Sequence, residues 1–406
     1  MTAPRKASTR DSRDPYGIGP VGGYVGPIVA VVALTFIALV TLSLLDGQVP
    51  FRTTSTGPGG PGPAVTPAPS NVVIVEPKVT FPGSIVYAKS GNVWIQARAG
   101  SRQLTDSGTD SMPSFAPDGS WVYFIRIAET RAKFPAGGGQ TRAWYDISTP
   151  SLMRVKPDGS GAERLLTGKY TSGNSTWFYW LRQPAPSPNG KTIAVISDGP
   201  NPLKSDVVLQ TWDVATKKLT NLDLGRSGNL GHQDPAWSSD GRYLLYVRNG
   251  RELTRGAPQI FRYDTTTRKA RQLTGPGYLS PAVSPTGAFI AATKSDSFGT
   301  DIAILDATGK EVLRVTDDGH AFSPVWSPAG DAVAFLHLAG TIVDLRMAKL
   351  DNTTGRWTVT ETVDLTKVSG LDGASRPSWF APASELPARP SAAPSGAPSA
   401  SGSSVP

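Results

Sequence analysis

Short apolar segments recur along the chain, and each follows a turn that contains glycine. They are rich in β-branched and aromatic residues and are bounded by Gly, Pro, Asn or Asp, which is typical of β-strands joined by hairpins. The clearest segments are Trp121–Ile125, Thr192–Ile196, Tyr243–Val247, Ala288–Ala292 and Ala332–Leu336. The pattern therefore predicts a fold made of strands.

A proline motif precedes these segments and gives the chain a repeat. In each copy the proline is followed two residues later by a bulky apolar residue or by proline, then usually by Ser or Ala and often by a turn glycine. The six prolines, at intervals of 71, 51, 46, 43 and 53 residues, are Pro113, Pro184, Pro235, Pro281, Pro324 and Pro377. A period of about 40–50 residues is typical of a propeller or a solenoid.

A second hairpin follows within the repeats, where an aspartate ends one strand and an apolar residue marks the next. The three pairs, each nine residues apart, are Asp213 and Leu222, Asp264 and Leu273, and Asp306 and Val315. Equal spacing predicts one hairpin length. Two hairpins per repeat make four strands, which is the blade of a β-propeller.

The two ends of the array are incomplete and together make one blade. The motif at Pro377–Trp379 has no strand after it, and the strands predicted at residues 85–88, 92–95 and 103–105 have no motif before them. Their pairing would close the ring and remove exposed sheet edges. The sequence therefore predicts an all-β six-bladed propeller of four-stranded blades over residues 83–380, closed by C-terminal and N-terminal strands.

The Pro-x-Trp-Ser-x-Asp-Gly pattern, seen at Pro235–Gly241, and the Leu-Thr that ends most repeats resemble the TolB-like six-bladed propeller repeats of bacterial envelope proteins. The resemblance implies this fold, an envelope location and loops that border a central channel. TolB has an α/β domain and a removable signal peptide ahead of its propeller, and this chain is expected to have neither. The propeller is also similar to that of LpqB lipoproteins, but the chain has no cysteine to acylate.

An apolar stretch lies ahead of the predicted propeller. Residues 15–45 contain no charged side chain, and residues 27–45 are almost wholly apolar. As a helix with a rise of ~1.5 Å per residue, this stretch would span about 28 Å, close to the ~30 Å hydrocarbon core of a bilayer. It predicts one retained transmembrane helix, with a cleaved signal peptide as the alternative.

Basic residues before this helix predict its orientation. Four basic and two acidic side chains precede the helix, and one basic side chain follows it closely, namely Arg5, Lys6, Arg10, Arg13, Asp11, Asp14 and Arg52. The positive-inside rule puts residues 1–26 in the cytoplasm and the propeller outside, as a single-pass membrane protein. Residues 46–82 are a Pro/Gly-rich spacer, and residues 381–406 are a Pro/Ser/Ala tail expected to be disordered.

Charge and cysteine content exclude several classes of function. The formal net charge is +8, but the basic residues are scattered without a basic run, which argues against a nucleic-acid partner. The absence of cysteine excludes disulfides and thiolate metal sites. No cofactor is expected, and the oligomeric state stays open.

Candidate chemistry is limited to one polar group. No Gly-x-Ser-x-Gly nucleophile motif is present. His232 and His320 precede motif prolines in loops expected to be equivalent, and Asp110 and Asp234 lie nearby in the repeat. These four residues could bind a divalent metal at a channel mouth or hold the blades in register. His337 is expected to be a surface residue.

The second blade carries two insertions, Ala128–Thr149 and Lys169–Gln183. Their candidate binding residues are Trp144, Tyr145, Tyr170, Trp177, Tyr179 and Trp180. Long loops on a rigid scaffold concentrate binding function, and aromatic side chains anchor sugars or protein partners. The alternative is that these rings pack the insertions onto the propeller.

These observations favour a non-catalytic, membrane-anchored binding or scaffold module outside the cytoplasm, with an envelope protein or a cell-wall polymer as its partner. The alternative is a metal-dependent hydrolase or lactonase with its site in the channel. Stoichiometric bound metal in the purified protein would favour the enzyme.

Overall fold

The computed structural model describes residues 80–134, 143–172, 175–199, 207–222, 224, 231–248 and 257–387. The predicted cytoplasmic segment, the predicted anchor, almost all of the predicted spacer and most of the predicted tail lie outside these residues. Within them, no helix is long and apolar enough to cross a membrane.

The described strands form six four-stranded antiparallel sheets and one separate hairpin. Blade 1 contains β1 (Ser84–Lys89), β2 (Asn92–Ala97), β3 (Gly100–Gln103) and β26 (Ser378–Phe380). Blade 2 contains β4 (Asp110–Phe115), β5 (Val122–Phe134), β6 (Ala143–Val155) and β7 (Glu163–Thr167), and is followed by the hairpin of β8 (Lys169–Ser172) and β9 (Ser175–Phe178). Blade 3 contains β10 (Arg182–Pro186), β11 (Thr192–Ser197), β12 (Val208–Asp213) and β13 (Leu219–Asn221).

The remaining blades follow the same plan. Blade 4 contains β14 (His232–Trp237), β15 (Tyr243–Arg248), β16 (Gln259–Asp264) and β17 (Lys269–Gln272). Blade 5 contains β18 (Tyr278–Val283), β19 (Phe289–Asp296), β20 (Gly299–Asp306) and β21 (Glu311–Arg314). Blade 6 contains β22 (Ala321–Trp326), β23 (Ala332–Ala339), β24 (Ile342–Asp351) and β25 (Thr358–Asp364), and a short 3₁₀ helix spans Ala383–Glu385.

Blade 1 is built from both ends of the chain. Strand β26 pairs antiparallel with β1, with Trp379 opposite Ile85 and Ser378 opposite Val86. The strand order in this sheet is β26-β1-β2-β3, which matches the order within every other blade. The predicted six-bladed ring with a joined blade is confirmed.

An apolar core lies between each pair of neighbouring blades, including blades 6 and 1. The second strand of each blade packs against a neighbouring blade on each side. In β1, the second strand of blade 1, Ile85 and Tyr87 pack toward blade 6, whereas Val86 packs toward blade 2. Side chains alternate across a strand, so a strand buried on both sides is apolar at every position. This is why the second strands appear in the sequence as continuous apolar segments.

The motif residues join the blades. The indole N–H of Trp237 donates to the carbonyl of Ala185 at 2.9 Å, and that of Trp326 donates to Ala282 at 3.1 Å. In both cases the acceptor lies on the first strand of the preceding blade. The first strand of each blade lines the central channel and is called the inner strand below. The Leu-Thr motif acts within a blade, where the Thr274 hydroxyl accepts the backbone N–H of Ile260 at 3.0 Å.

Antiparallel pairing places the connections of each blade at two ends of the propeller. The turns between first and second strands lie at one end, the turn face, together with those between third and fourth strands. The loops between second and third strands lie at the other end, the loop face, together with the connections between blades. The turn-face glycines of the motif are Gly119, Gly190, Gly241, Gly287 and Gly330.

The insertions of blade 2 are more regular than the long loops we expected. Strands β5 and β6 each have 13 residues, and their pairing continues from Ile127 opposite Pro150 to Phe134 opposite Ala143. The second insertion contains the β8–β9 hairpin, in which β9 packs near β5. Both insertions lie at the loop face, and β-pairing makes them an ordered extension of the blade.

Candidate binding site

The β5–β6 extension carries a row of cross-strand contacts on one side. The Nζ atom of Lys133 lies 5.4 Å from the ring centre of Trp144, and Arg131 forms an ion pair with Asp146 at 3.1 Å. Such pairs, although individually weak in solvent, add to the backbone ladder in fixing the register of two strands. The extension therefore presents its side chains in a defined arrangement.

The six predicted aromatic residues divide between exposed and partly or fully buried positions. Trp144, Trp180 and Tyr145 are 57%, 58% and 40% exposed. Tyr170 and Trp177 are half-buried. Large exposed rings at one end of a rigid ring of sheets are suited to binding, because tryptophan and tyrosine supply much of the energy at protein interfaces.

Tyr179 has a packing role. Its hydroxyl donates to the carbonyl of Thr167 at 2.8 Å, and its ring packs so closely on Gly199 that a Cβ atom there would lie 2.6 Å from it. Burial, and to a lesser extent the Asp198 carboxylate, raises the pKa of Tyr179 to about 12. The packing alternative therefore holds for Tyr179, whereas Trp180 is exposed.

Asp110 and His232 begin inner strands instead of lying in loops. Both oxygens of the buried Asp110 carboxylate accept hydrogen bonds from Arg126, at 2.7 and 2.8 Å. Hydrogen bonding to Asp110 raises the pKa of Arg126. The Nδ1 atom of the buried His232 accepts the backbone N–H of Leu209 at 3.1 Å, and its ring lies 4.8 Å from that of Tyr246. Both side chains hold neighbouring strands together.

His320 and His337 lie near Asp318. His337 was expected at the surface, but it lies within β23 and is buried, with Nε2 at 2.6 Å from an Asp318 carboxylate oxygen. The exposed His320 ring lies 6.1 Å from the His337 ring. Burial raises the pKa of Asp318, but the hydrogen bonds from His337 and from the His320 backbone outweigh it and leave the pKa below its ordinary value. Ala321, not His320, occupies the position that corresponds to His232.

The structure does not bring the four polar candidates into one cluster. Asp110, His232 and His320 have the separate partners described above, and Asp234 lies deeper, in the channel wall. In the described part of the chain, no group of three or more His, Asp or Glu side chains is placed to hold a metal ion.

The inner strands of five blades contain a β-bulge just before the motif proline, as between Gln233 and Ala236 in β14. The residue before the proline then has a positive φ that is unusual outside glycine. These residues are Met112, Gln183, Asp234, Ser280 and Ser323, with φ between 49° and 55°. A bulge redirects a side chain, and it recurs here at the same point of the channel wall.

Arg376 occupies the corresponding position in blade 1 and was not among the predicted site residues. It donates to the carbonyl oxygens of Pro235 and Pro281, both at 2.8 Å. Those prolines belong to blades 4 and 5, so the side chain crosses the channel. Burial lowers the pKa of Arg376, and the Asp234 carboxylate partly offsets this. Its place before a motif proline was the available sequence signal.

Comparisons with known proteins support the fold. A scan against known protein families finds no match. The uncharacterized protein Atu1656 of Agrobacterium fabrum is 32% identical over 149 residues, which are 35% of this chain and 40% of that protein. The match thus spans less than half of that relative.

Two solved structures share the architecture at low identity. TolB from Acinetobacter baumannii is 17% identical with a TM-score of 0.51, and the alignment covers 73% of this chain and 66% of TolB. The putative TolB from Agrobacterium tumefaciens is 17% identical with a TM-score of 0.50, and the alignment covers 73% of this chain and 94% of that protein. This chain therefore carries a TolB-like six-bladed β-propeller.

Proposed function

We propose that this chain is a non-catalytic binding module of the cell envelope that recognises a protein partner at the loop face of blade 2. The observation that carries the proposal is the exposure of Trp144, Tyr145 and Trp180 on and beside an ordered strand extension. A TolB-like propeller suits this role because its closed ring is a rigid support for binding residues.

The surroundings of Trp144 favour a protein over a cell-wall polymer. The Lys133 ammonium group lies over one face of the Trp144 ring, which removes that face from stacking on a sugar. The Arg131–Asp146 ion pair beside it offers both charges to a partner. Mixed polar and aromatic surface of this kind is common at protein interfaces.

The proposal includes a membrane anchor at residues 27–45 with the propeller outside the cytoplasm, supported by the apolar length and the basic residues ahead of it. Protease added to intact spheroplasts should then remove the propeller and leave about the first 20 residues protected. Antibodies against the two ends of the chain would follow the fragments. A propeller that survives protease until the membrane is lysed would contradict this topology.

The binding surface is tested by capture from envelope extracts with the full chain. A variant with Trp144→Ser, Tyr145→Ser and Trp180→Ser should lose its captured protein by about tenfold or more, because hot-spot aromatics each contribute about 2 kcal/mol or more. Its melting temperature should stay close to that of the unchanged protein, because exposed side chains contribute little to stability. Quantitative mass spectrometry measures the loss.

Phe298→Ser supplies the matched control. Phe298 is 94% exposed at the loop face of blade 5, and its replacement should leave capture unchanged. If the triple variant retains the protein, blade 2 is not the recognition surface. If a glycosidase-sensitive polymer is captured instead, the partner class is wrong.

A further inference from the structure

The central channel contains a cavity of about 480 Å³ that opens toward the turn face. Its volume lies within the range of about 300–1,000 Å³ typical of small-ligand sites. The wall is mostly apolar, with two sets of prolines, the motif prolines and those of the turns. The turn prolines are Pro117, Pro188, Pro285 and Pro328. Proline has no backbone N–H, so this wall offers few donors to a polar ligand.

Two charged side chains line the cavity, Asp234 and Arg376. The Asp234 carboxylate already accepts three hydrogen bonds, from the Gln183 side-chain amide at 2.6 Å and from the backbone and hydroxyl groups of Ser280 at 3.0 Å. Three of its about four acceptor sites are therefore directed into the wall. The negative charge of Asp234 is solvated by the protein itself.

Arg376 is solvated less completely. Two of the five N–H groups of a guanidinium are used by the carbonyls of Pro235 and Pro281, which are neutral acceptors. No acidic group among the described residues forms an ion pair with it. A cation in a mostly apolar cavity without a contacting counter-ion attracts an anion, because such a wall screens charge less than bulk water does.

We propose that the channel binds an apolar ligand through a single carboxylate, which forms a charge-assisted pair with the remaining N–H groups of Arg376. A planar carboxylate matches the guanidinium fork. A dianion such as phosphate is disfavoured because the Asp234 carboxylate would repel its second charge. The apolar wall then covers the rest of the ligand. This site is separate from the blade 2 surface and does not depend on the partner proposed there.

Calorimetric titration of the full chain tests the site with two pairs of probes. The first pair is 4-phenylbutyrate and 4-phenylbutyramide, and the second is acetyl-Ala-Pro-Ala-Pro with a free C-terminal carboxylate and with an amide. We expect at least one carboxylate to bind about tenfold or more tightly than its amide, as a hydrogen-bonded charge requires. Tighter binding of 4-phenylbutyrate would indicate a small acid as the source of the carboxylate, and tighter binding of the peptide would indicate a peptide C-terminus.

Variants assign the effect to the channel. Arg376→Met should remove the preference for carboxylate, and Arg376→Lys should keep a weakened preference because it retains the charge without the fork. Asp234→Asn should tighten carboxylate binding by about fivefold, because a nearby like charge is lost. Arg271→Met, at an exposed arginine on the outer strand β17 and away from the channel, should leave carboxylate binding unchanged.

A role for Arg376 only in holding the blades together predicts a different result. The Arg376 variants would then lower the melting temperature, and neither carboxylate would bind better than its amide. Equal binding of both members of each pair, or no binding by any probe, overturns the proposal. The Asp234→Asn arm keeps the test informative if the Arg376 variants unfold, because a structural role does not predict tighter binding of an anion.

Discussion

Asp110 and Arg376 are charged side chains at the inner strands whose charges are neutralised to different degrees. The fully buried Asp110 carboxylate receives two hydrogen bonds from one guanidinium, that of Arg126. Arg376 instead donates to two backbone carbonyls. Asp110 is therefore satisfied within the fold, whereas Arg376 keeps donors for a ligand.

The Asp110–Arg126 pair should contribute measurably to stability. Asp110→Ala should lower the free energy of unfolding by about 2–3 kcal/mol, because it leaves an unpaired guanidinium beside the inner strands. This decrease in the free energy of unfolding is smaller than for a fully buried ion pair, because the Arg126 side chain is 29% exposed to water. Urea denaturation of the protein and of its Asp110→Ala variant at neutral pH measures the difference.

Asp146→Ala is the matched control for this measurement. The Arg131–Asp146 pair has the same chemistry, but its side chains are 67% and 61% exposed. Loss of this pair should lower the free energy of unfolding by less than about 1 kcal/mol, because surface ion pairs usually contribute no more than that. Equal losses from the two aspartates would show that the pair at Asp110 contributes no more than a surface contact.

At the level of elements, the strands of the blades were predictable because local sequence decides them. A second strand such as β15 is packed between two blades, so its residues are apolar without interruption, and a glycine turn marks its start. The pairing of β26 with β1 was also predictable, although nearly three hundred residues separate Ile85 from Trp379, because each end alone lacked the strands that the other supplied.

The roles of individual side chains were less predictable, because each depends on contacts from distant parts of the chain. Tyr179 and Trp180 are adjacent aromatics, yet only Tyr179 meets the close surface of Gly199 and is buried. Arg376 finds its acceptors 95 and 141 residues away. His337 is buried because β23 lies between two blades, which its position near the end of an apolar segment did not reveal.

At the scale of the whole molecule, ring closure depends on a very short element. Strand β26 has three residues, yet its Trp379 is buried in the core between blades 6 and 1. The Trp379 ring meets Phe81 edge-on at 5.5 Å, and its indole N–H donates to the carbonyl of Pro82 at 2.8 Å. The same stretch of chain carries Arg376 across the channel. One short stretch of chain therefore supplies both the closing strand of the ring and the contact of Arg376 across the channel.

A chain that ends at Gly370 should consequently fail to form a stable ring. It would lose β26, leave the edge of β1 unpaired and remove Trp379, whose truncation alone should cost about 3–5 kcal/mol. We expect a lower thermal midpoint, a broader transition and concentration-dependent aggregation. Differential scanning calorimetry and light scattering follow these changes.

A chain that ends at Pro387 provides the control, because it keeps β26 and the short 3₁₀ helix that follows. It should melt like the full chain, since every described strand and all six inter-blade cores are retained. Unchanged melting of the Gly370 chain would mean that blades 2 to 6 and the three remaining strands of blade 1 hold the ring without β26. The energy of closure would then lie in the inter-blade cores alone, and the joined blade would be a consequence of the ring instead of its cause.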